Sequence, residues 1–343
     1  MDHTIEHQSQ KTNIKNISRS VLVTGGAGYV GAKLVPKLLS FGYQVTVLDL
    51  MIYGQEVLEK HSNLTIFKGD IRDVNLLKKI IPNHDILIHL ACISNDPSFE
   101  LNPILGKSIN FDAFLPLVDI SFKNKVKQFI YASSSSVYGI KKEQNVTEDM
   151  SLEPLTDYSK FKAECEKILN RYSCDDFVTT TIRPSTVCGY SRRQRLDLVV
   201  NILTNNAFHK KEILVFGGNQ LRPNIHIDDM VESYLAVLNA PSAKINGEIF
   251  NVGYKNQTVM ELAQDVKKVI GNDIKITRLD SNDDRSYHVS CQKIKDILNF
   301  KPKFTVRNAV NDLKDAFEKE LLINTFDNDF FYNIKRMNNI NLD

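Results

Sequence analysis

From Ser20 onward the chain alternates short β-branched runs with longer stretches whose apolar residues recur at helical spacing. The runs are VLVT (21–24), QVTVLD (44–49), LTIFKG (64–69), DILIHLA (85–91), QFIYAS (128–133) and FVTTTIRP (177–184). Short, nearly continuous apolar strands separated by amphipathic helices predict repeated βαβ units, and hence an α/β fold whose parallel sheet carries helices on both faces. GAKLVPKLLSFG and TDYSKFKAECEKILNRY read as two of those helices, with Pro36 expected near a first turn or at a kink.

Beyond Pro184 the rhythm loosens into a polar stretch rich in Arg and Asn, then resumes with NIHIDDMVESYLAVL (224–238) and EIFNVG (248–253). A segment inserted late in a doubly wound fold is a natural place for a substrate-binding unit, with the ligand lying across the carboxyl ends of the strands. The predicted organisation is therefore a polar tail over 1–19, a dinucleotide-binding domain over 20–185 and 224–255, a smaller discontinuous substrate-binding domain over 186–223 and 256–320, and a C-terminal tail over 321–343. The apolar patch FDNDFFY (326–332) packs either on the body or on another subunit, and the pattern leaves both open.

Composition narrows the function more than the fold. At 343 residues, 42% hydrophobic and 24% charged, the chain is an ordinary globular one with a sizeable core. No apolar run approaches the roughly 20 residues that cross a bilayer, and the first twenty residues lack the apolar centre of a secretory signal, so the expectation is a soluble cytoplasmic protein. Its five cysteines, Cys92, Cys165, Cys174, Cys188 and Cys291, are scattered without close pairing, which argues against a disulfide framework or a zinc site. A net charge of +2 gives no basis for broad nucleic-acid binding, which points to a small-molecule partner.

The glycines of VLVTGGAGYVGAKLV, Gly25, Gly28 and Gly31, fall between the first strand and its helix. A tight turn that lets a pyrophosphate approach the backbone has no room for a Cβ, and the helix N-terminus adds partial positive charge. Asp49 ends the second strand, where a carboxylate accepts hydrogen bonds from both ribose hydroxyls and repels a 2′-phosphate, favouring NAD over NADP. After the fifth strand come Ser133 to Ser136 and then, on a predicted helix, Tyr158 and Lys162. The i, i+4 spacing puts those two on one helix face, where the ammonium is expected to lower the phenol pKa toward the general acid/base range. A strand-end serine then bonds the reacting oxygen, which completes a Ser/Tyr/Lys set for oxidising or reducing a carbon that bears a hydroxyl.

With these motifs in place, the chain from about Ser20 to about Phe317 resembles the extended short-chain dehydrogenase/reductases, and within them the nucleotide-sugar epimerase/dehydratase family. TGGAGYVG is similar to the family's glycine motif, GDIRD (69–73) to its adenine-contacting segment with Asp70 and Ile71, HLA (89–91) to the end of its fourth strand, and ASSSSVYG (132–139) to its catalytic-serine strand. The resemblance implies a Rossmann-type domain that holds NAD, with Ser134, Tyr158 and Lys162 as the catalytic set. It adds Tyr29, Val30, Leu90, Ala91, Cys92, Asn110 and Pro184 to the cofactor-binding residues. It also implies a nucleoside-diphosphate sugar as substrate, met by Thr186, Asn201, Phe216, Arg222 (in LRPNIHIDDM) and Arg285. A homodimer through the helices around 106–122 and 157–171 is part of the same expectation.

The departures from the family pattern select among activities. The family's 4,6-dehydratases carry carboxylates after the catalytic hydroxyl and its sugar-acid decarboxylases a Glu before the VYG stretch, where this chain has Ser135 and Ser136. A serine hydroxyl does not replace a carboxylate base at neutral pH, so the run looks like that of the 4-epimerases, including those acting on UDP-uronic acids. Net oxidation or reduction at C4 is the alternative within the class, and a silent NAD-binding subunit the alternative outside it. Thr186 stands where UDP-hexose 4-epimerases have Asn. Arg192, Arg193 and Arg195 cluster near the expected sugar, free to meet a carboxylate, a phosphate, a second subunit or solvent. CISNDPSFELNP (92–103) reads as a loop over the nicotinamide, and His89 and His226 as core or supporting histidines rather than metal ligands.

Overall fold

The computed structural model describes residues 19–280, 288–340 and 342. Seven strands form one parallel sheet: β1 (Ser20–Thr24), β2 (Gln44–Asp49), β3 (Leu64–Lys68), β4 (Ile86–His89), β5 (Gln128–Ala132), β6 (Val178–Pro184) and, late in the chain, β10 (Glu248–Val252). Between β6 and β10 lie β7 (Thr186–Cys188), β8 (Glu212–Phe216) and β9 (Leu221–His226); β11 (Lys255–Thr258) and β12 (Lys275–Leu279) follow. The order β10-β6-β5-β4-β1-β2-β3 reverses direction at β1. This is the Rossmann-type doubly wound sheet that the alternation predicts, and its crevice opens where β1 and β4 part company.

Both faces of the inner strands β1, β4, β5 and β6 are dry, which is why they read as nearly unbroken runs, whereas the edge strand β3 is largely exposed. On one face, Val21, Val23 and Ile88 pack with Leu34, Leu38, Tyr234 and Leu235 from the helices Gly31–Ser40 and Ile227–Leu238. On the other, Leu22, Leu87 and Phe129 pack with Phe114, Leu117 and Cys165 from Phe114–Lys123 and Asp157–Asn170. A separate core forms where β9 pairs with β7 and β11, and β8 with β12: Leu203, Ile213, Leu262, Val266 and Val310 bring three amphipathic helices together there. No helix among the described residues is long and apolar enough to cross a membrane.

Local expectations need two corrections. Pro36 falls in the middle of Gly31–Ser40, not in its first turn, and its ring is exposed. Residues 92–103 are not a plain loop, since they contain the short helices Asp96–Glu100 and Pro103–Lys107. Asn95 caps the first by accepting from Ser98 N, Asn102 caps the second by accepting from Leu105 N, and a proline follows each cap. The FDNDFFY patch packs on the body: Phe331 is buried with Leu196, Leu313, Phe317 and Leu322.

One ion pair ties the sheet to the helix that follows β5. Arg183 of β6 donates through Nη2 to Glu166 Oε2 at 2.6 Å and through Nε to Oε1 at 3.0 Å, and both side chains are buried. Its Nη1 donates to the Tyr138 hydroxyl at 2.6 Å, which in turn donates to Asn251 of β10 at 2.7 Å. Ser133 Oγ also donates to Glu166. Removing one member of such a buried pair strands the other charge, a loss of about 3–5 kcal/mol. Arg183→Met should accordingly lower the unfolding free energy by about that amount in urea melts, and a loss below about 1 kcal/mol would show that the network does not hold the core.

Candidate active site

The turn after β1 is shaped by what cannot fit there. Gly25 has φ +76°, and a Cβ on it would lie 2.5 Å from Ala91 N; a Cβ on Gly31 would lie 2.5 Å from Gly26 O. The backbone of β1 therefore passes directly against the end of β4, leaving a concave surface at the N-terminus of Gly31–Ser40. Asp49 closes β2 beside this turn. Its carboxylate accepts from Ala27 N at 3.0 Å and Met51 N at 2.8 Å, and burial raises its pKa against the pull of those two amides.

At the end of β5, Ser134 caps the short helix Ser135–Tyr138, and its Oγ lies 2.8 Å from Ser136 Oγ. A capping box of Thr156 and Ser159 starts Asp157–Asn170, which delivers Tyr158 and Lys162 to the same place. Lys162 Nζ donates to Ala132 O at 2.6 Å and lies 5.9 Å from the Tyr158 ring centre. The expectation that this ammonium lowers the phenol pKa needs correcting. Burial raises the Tyr158 pKa well above its ordinary value, with Cys92 and Asp96 adding to the rise and Arg195 and the Asn95 backbone opposing it. Burial decides the direction, and the Lys162 ammonium, committed to Ala132 O, is not among the larger influences on it. Asn95 adopts φ 76° and ψ 154°, a region that residues other than glycine rarely enter.

One cavity of about 550 Å³ joins these parts. Its wall includes Gly25, Gly28, Tyr29, Val30, Gly31 and Asp49 at one end, then Leu90, Ala91, Cys92, Ser134, Tyr158, Lys162 and Pro184, with Thr186 and Arg222 beyond. Five other expected residues do not line it. Asp70 pairs with Arg72, and Ile71 is buried in the core. Asn110 turns inward to bond Ile93 N at 2.8 Å and Ile93 O at 2.9 Å. Asn201 is buried and donates to Tyr29 Oη and Arg195 O, while Phe216 is 55% exposed on β8. Arg285 lies outside the described residues.

The arginine cluster is divided. Arg192 stays at the surface with Glu59, whereas Arg193 and Arg195 are buried and line the cavity. Arg195 pairs with Asp197 at 2.9 Å; Arg193 stacks 3.6 Å over the Tyr53 ring, and burial pulls it down to about 10, so it remains charged at neutral pH. Ser94 and Asn95 belong to the 92–103 segment expected near this site, whereas sequence reasoning missed Asp197, Asn333, Met337 and Leu342 in this wall. No local signal marks those four.

Both histidines have structural partners. His89 bonds Thr24 Oγ1 at 2.7 Å, and burial lowers it to about 3, which leaves it neutral. His226 caps Ile227–Leu238 through Asp228 N and bonds Asp312, and the only carboxylates grouped with it among the described residues are Asp228 and Asp312 at the surface.

Residues 21–253 match the sequence model of the NAD dependent epimerase/dehydratase family. A UDP-glucose 4-epimerase of Lactobacillus helveticus is 28% identical over 308 residues, covering 82% of this chain and 92% of its own length. A UDP-N-acetyl-alpha-D-glucosaminuronate decarboxylase of Bacillus cytotoxicus is 27% identical over 273 residues, covering 77% and 84%. The solved structure of UDP-glucose 4-epimerase from Thermotoga maritima with UDP-glucose superposes at a TM-score of 0.81 with 26% identity, covering 88% of this chain and all of that one. A match this long, on a fold with this strand order and this glycine turn, settles the family: the chain belongs to the NAD dependent epimerase/dehydratase family.

Proposed function

We propose that the protein is a 4-epimerase of a nucleoside-diphosphate sugar, with Tyr158 as its proton-transfer residue. The observation that carries this reading is that the glycine turn, the Asp49 carboxylate and the Ser134, Tyr158 and Lys162 side chains all face one cavity. The family is NAD dependent, and the residues present suit that cofactor. At Gly25 and Gly31 neighbouring backbone takes the place of a Cβ, so the turn closes tightly enough to present bare backbone at the helix N-terminus to a pyrophosphate, and Asp49 faces the cavity where a ribose would meet it.

NAD, when bound in the cleft lined by Gly25, Gly28, Gly31 and Asp49, would supply reversible hydride transfer at C4 of the sugar, with return to the opposite face giving the epimer. The residues of this chain handle the proton. Tyr158 removes it from the 4-hydroxyl and restores it at the end, and Ser134 hydrogen-bonds the same oxygen. Lys162, fixed by Ala132 O, supplies positive charge beneath the phenol. Because burial keeps Tyr158 protonated, it becomes a base only when further positive charge reaches the pocket, which ties its ionisation to the loaded site. Arg222 on β9 meets the diphosphate.

The carboxylates of the wall support epimerisation over elimination or decarboxylation. Asp49 sits at the far end, Asp197 is paired with Arg195, Asp96 accepts from Thr156, and the positions after Ser134 are serines. With UDP-, GDP-, CDP- and dTDP-sugars, one member should give its C4 epimer by NMR with no net NADH by absorbance; NADH accumulating in proportion to product would instead identify a C4 dehydrogenase. On the accepted substrate, Tyr158→Phe should reduce turnover by about two to four orders of magnitude with little change in affinity, and near-parental turnover would remove Tyr158 from its role.

NAD should bind at least about tenfold more tightly than NADP, since Asp49 repels a 2′-phosphate. That preference should weaken as acid protonates Asp49, and equal calorimetric affinities at neutral pH would defeat the assignment. We also infer a homodimer through the helices around 106–122 and 157–171, where Leu115 and Phe122 are exposed apolar residues. Light scattering at micromolar concentration should give twice the chain mass, and a strict monomer would exclude it.

A further inference from the structure

The last residues of the chain lie outside the segment matched to the family, yet they help to wall the cavity. Asn333, Met337 and Leu342 line it, and Asn333 is 2% exposed. Asn333 reaches two separate pieces of that wall, the loop after β4 and the stretch after β7. Its backbone N donates to Asp197 Oδ2 at 3.0 Å, its Nδ2 donates to Ser94 Oγ at 3.0 Å and Ser94 O at 3.2 Å, and its Oδ1 accepts from Arg193 Nη2 at 2.6 Å. Three residues later, Arg336 donates to Ile52 O and pairs with Asp329 at 3.1 Å. Phe331 anchors the segment below, buried beside Leu196, whose N donates to Phe331 O at 2.9 Å.

These bonds fasten together loops that otherwise belong to different strands. Ile52 and Tyr53 follow β2 and stand beside Asp49; Ser94 and Asn95 follow β4 and stand beside Tyr158; Arg193, Arg195 and Asp197 come from the stretch after β7. On the reading given above, the first loop borders the adenosine end of NAD and the second its nicotinamide end. A dinucleotide held between them leaves only when the loops part, and the C-terminal segment bonds to both. The Asn333 amide also stands between a buried guanidinium and the Arg195–Asp197 pair, so it sets where those charges face the ligand.

We propose that the C-terminal segment is a working wall of the cofactor site, with Asn333 as a positioning residue that fixes Arg193 and Asp197 against the loop after β4 while Arg336 holds the loop after β2, so that NAD stays bound through successive turnovers. Retention of this kind suits a reaction in which the cofactor ends each cycle in the state in which it began it. The proposal rests on the NAD site of the preceding section but not on the identity of the sugar.

The test measures release of a fluorescent dinucleotide without any sugar present. Protein loaded with 1,N6-etheno-NAD is chased with excess NAD, and the release rate is followed in the parent, in Asn333→Ala, in Arg336→Ala and in Val266→Ala. Val266 is buried in the core between β8 and the helix Val259–Ile270, so its truncation loosens the fold without touching the wall. Asn333→Ala should accelerate release by about tenfold or more, the factor expected when a hydrogen bond to a charged group is lost, and Arg336→Ala should act in the same direction. Val266→Ala should lower the thermal midpoint and leave release unchanged. Release within about twofold of the parent in both tail variants overturns the proposal, as does an equal acceleration in Val266→Ala. A parent that does not bind the etheno-NAD at all overturns the NAD site itself, whereas absence of sugar turnover leaves this measurement intact.

Discussion

The buried pair of Arg183 and Glu166 is the joint around which the site is assembled. Glu166 sits two turns beyond Tyr158 and one beyond Lys162 on the same helix, and Arg183 sits near the end of β6, so their bidentate contact fixes the depth at which that helix rides on the sheet. Glu166 also holds Ser133, the residue next to Ser134, while Arg183 holds Tyr138 at the far side of the serine run. The strand end that carries Ser134 and the helix that carries Tyr158 and Lys162 are thus tied to one carboxylate. Such a pair contributes less to net stability than to uniqueness of arrangement, because desolvation offsets much of its attraction.

A second constraint acts at the other end of the cavity, and it is steric. Gly25 lets β1 lie against Ala91 and Gly31 lets the first helix start against Gly26, so the floor of the cleft is bare backbone. Charge then enters from the walls. Lys162, Arg193, Arg195 and Arg222 face the cavity against Asp49, Asp96 and Asp197, an excess of one positive charge when all are ionised, which favours anionic ligands. The site achieves this without a basic surface, since the whole chain carries only +2.

Burial also governs the chemistry of Tyr158. The phenol lies beside Phe99, and its burial, with Cys92 and Asp96 close by, raises its pKa, while the backbone of the strained Asn95 acts in the opposite direction. Strain of that kind persists only where neighbouring structure over-determines it, and here the Asn95 side chain caps Asp96–Glu100 while the next residue, Asp96, accepts from Thr156 at the start of the Tyr158 helix. The loop after β4 and the Tyr158 helix are therefore one mechanical unit.

The alternation of apolar runs and amphipathic stretches was enough to foresee the doubly wound sheet, because a strand buried on both faces and a helix buried on one leave different periods in the chain. The glycine turn, Asp49 and the pairing of Tyr158 with Lys162 were legible for a similar reason: each depends on spacing within one element or across one turn. Tertiary structure decided the rest. Asn110 is a polar residue on a helix in the sequence, and only packing turns it toward Ile93 instead of the cavity. Arg193 and Arg195 looked no different from Arg192 until the fold buried two and left one at the surface. The direction of the Tyr158 shift depends on desolvation, which no local spacing encodes. Asn333 meets Ser94 across 239 positions of chain, a contact that exists only because the sheet order brings the loop after β4 and the C-terminal segment to the same edge of the cleft. Sequence determines what each short segment prefers; which segments share a wall is set by how the whole chain closes on itself.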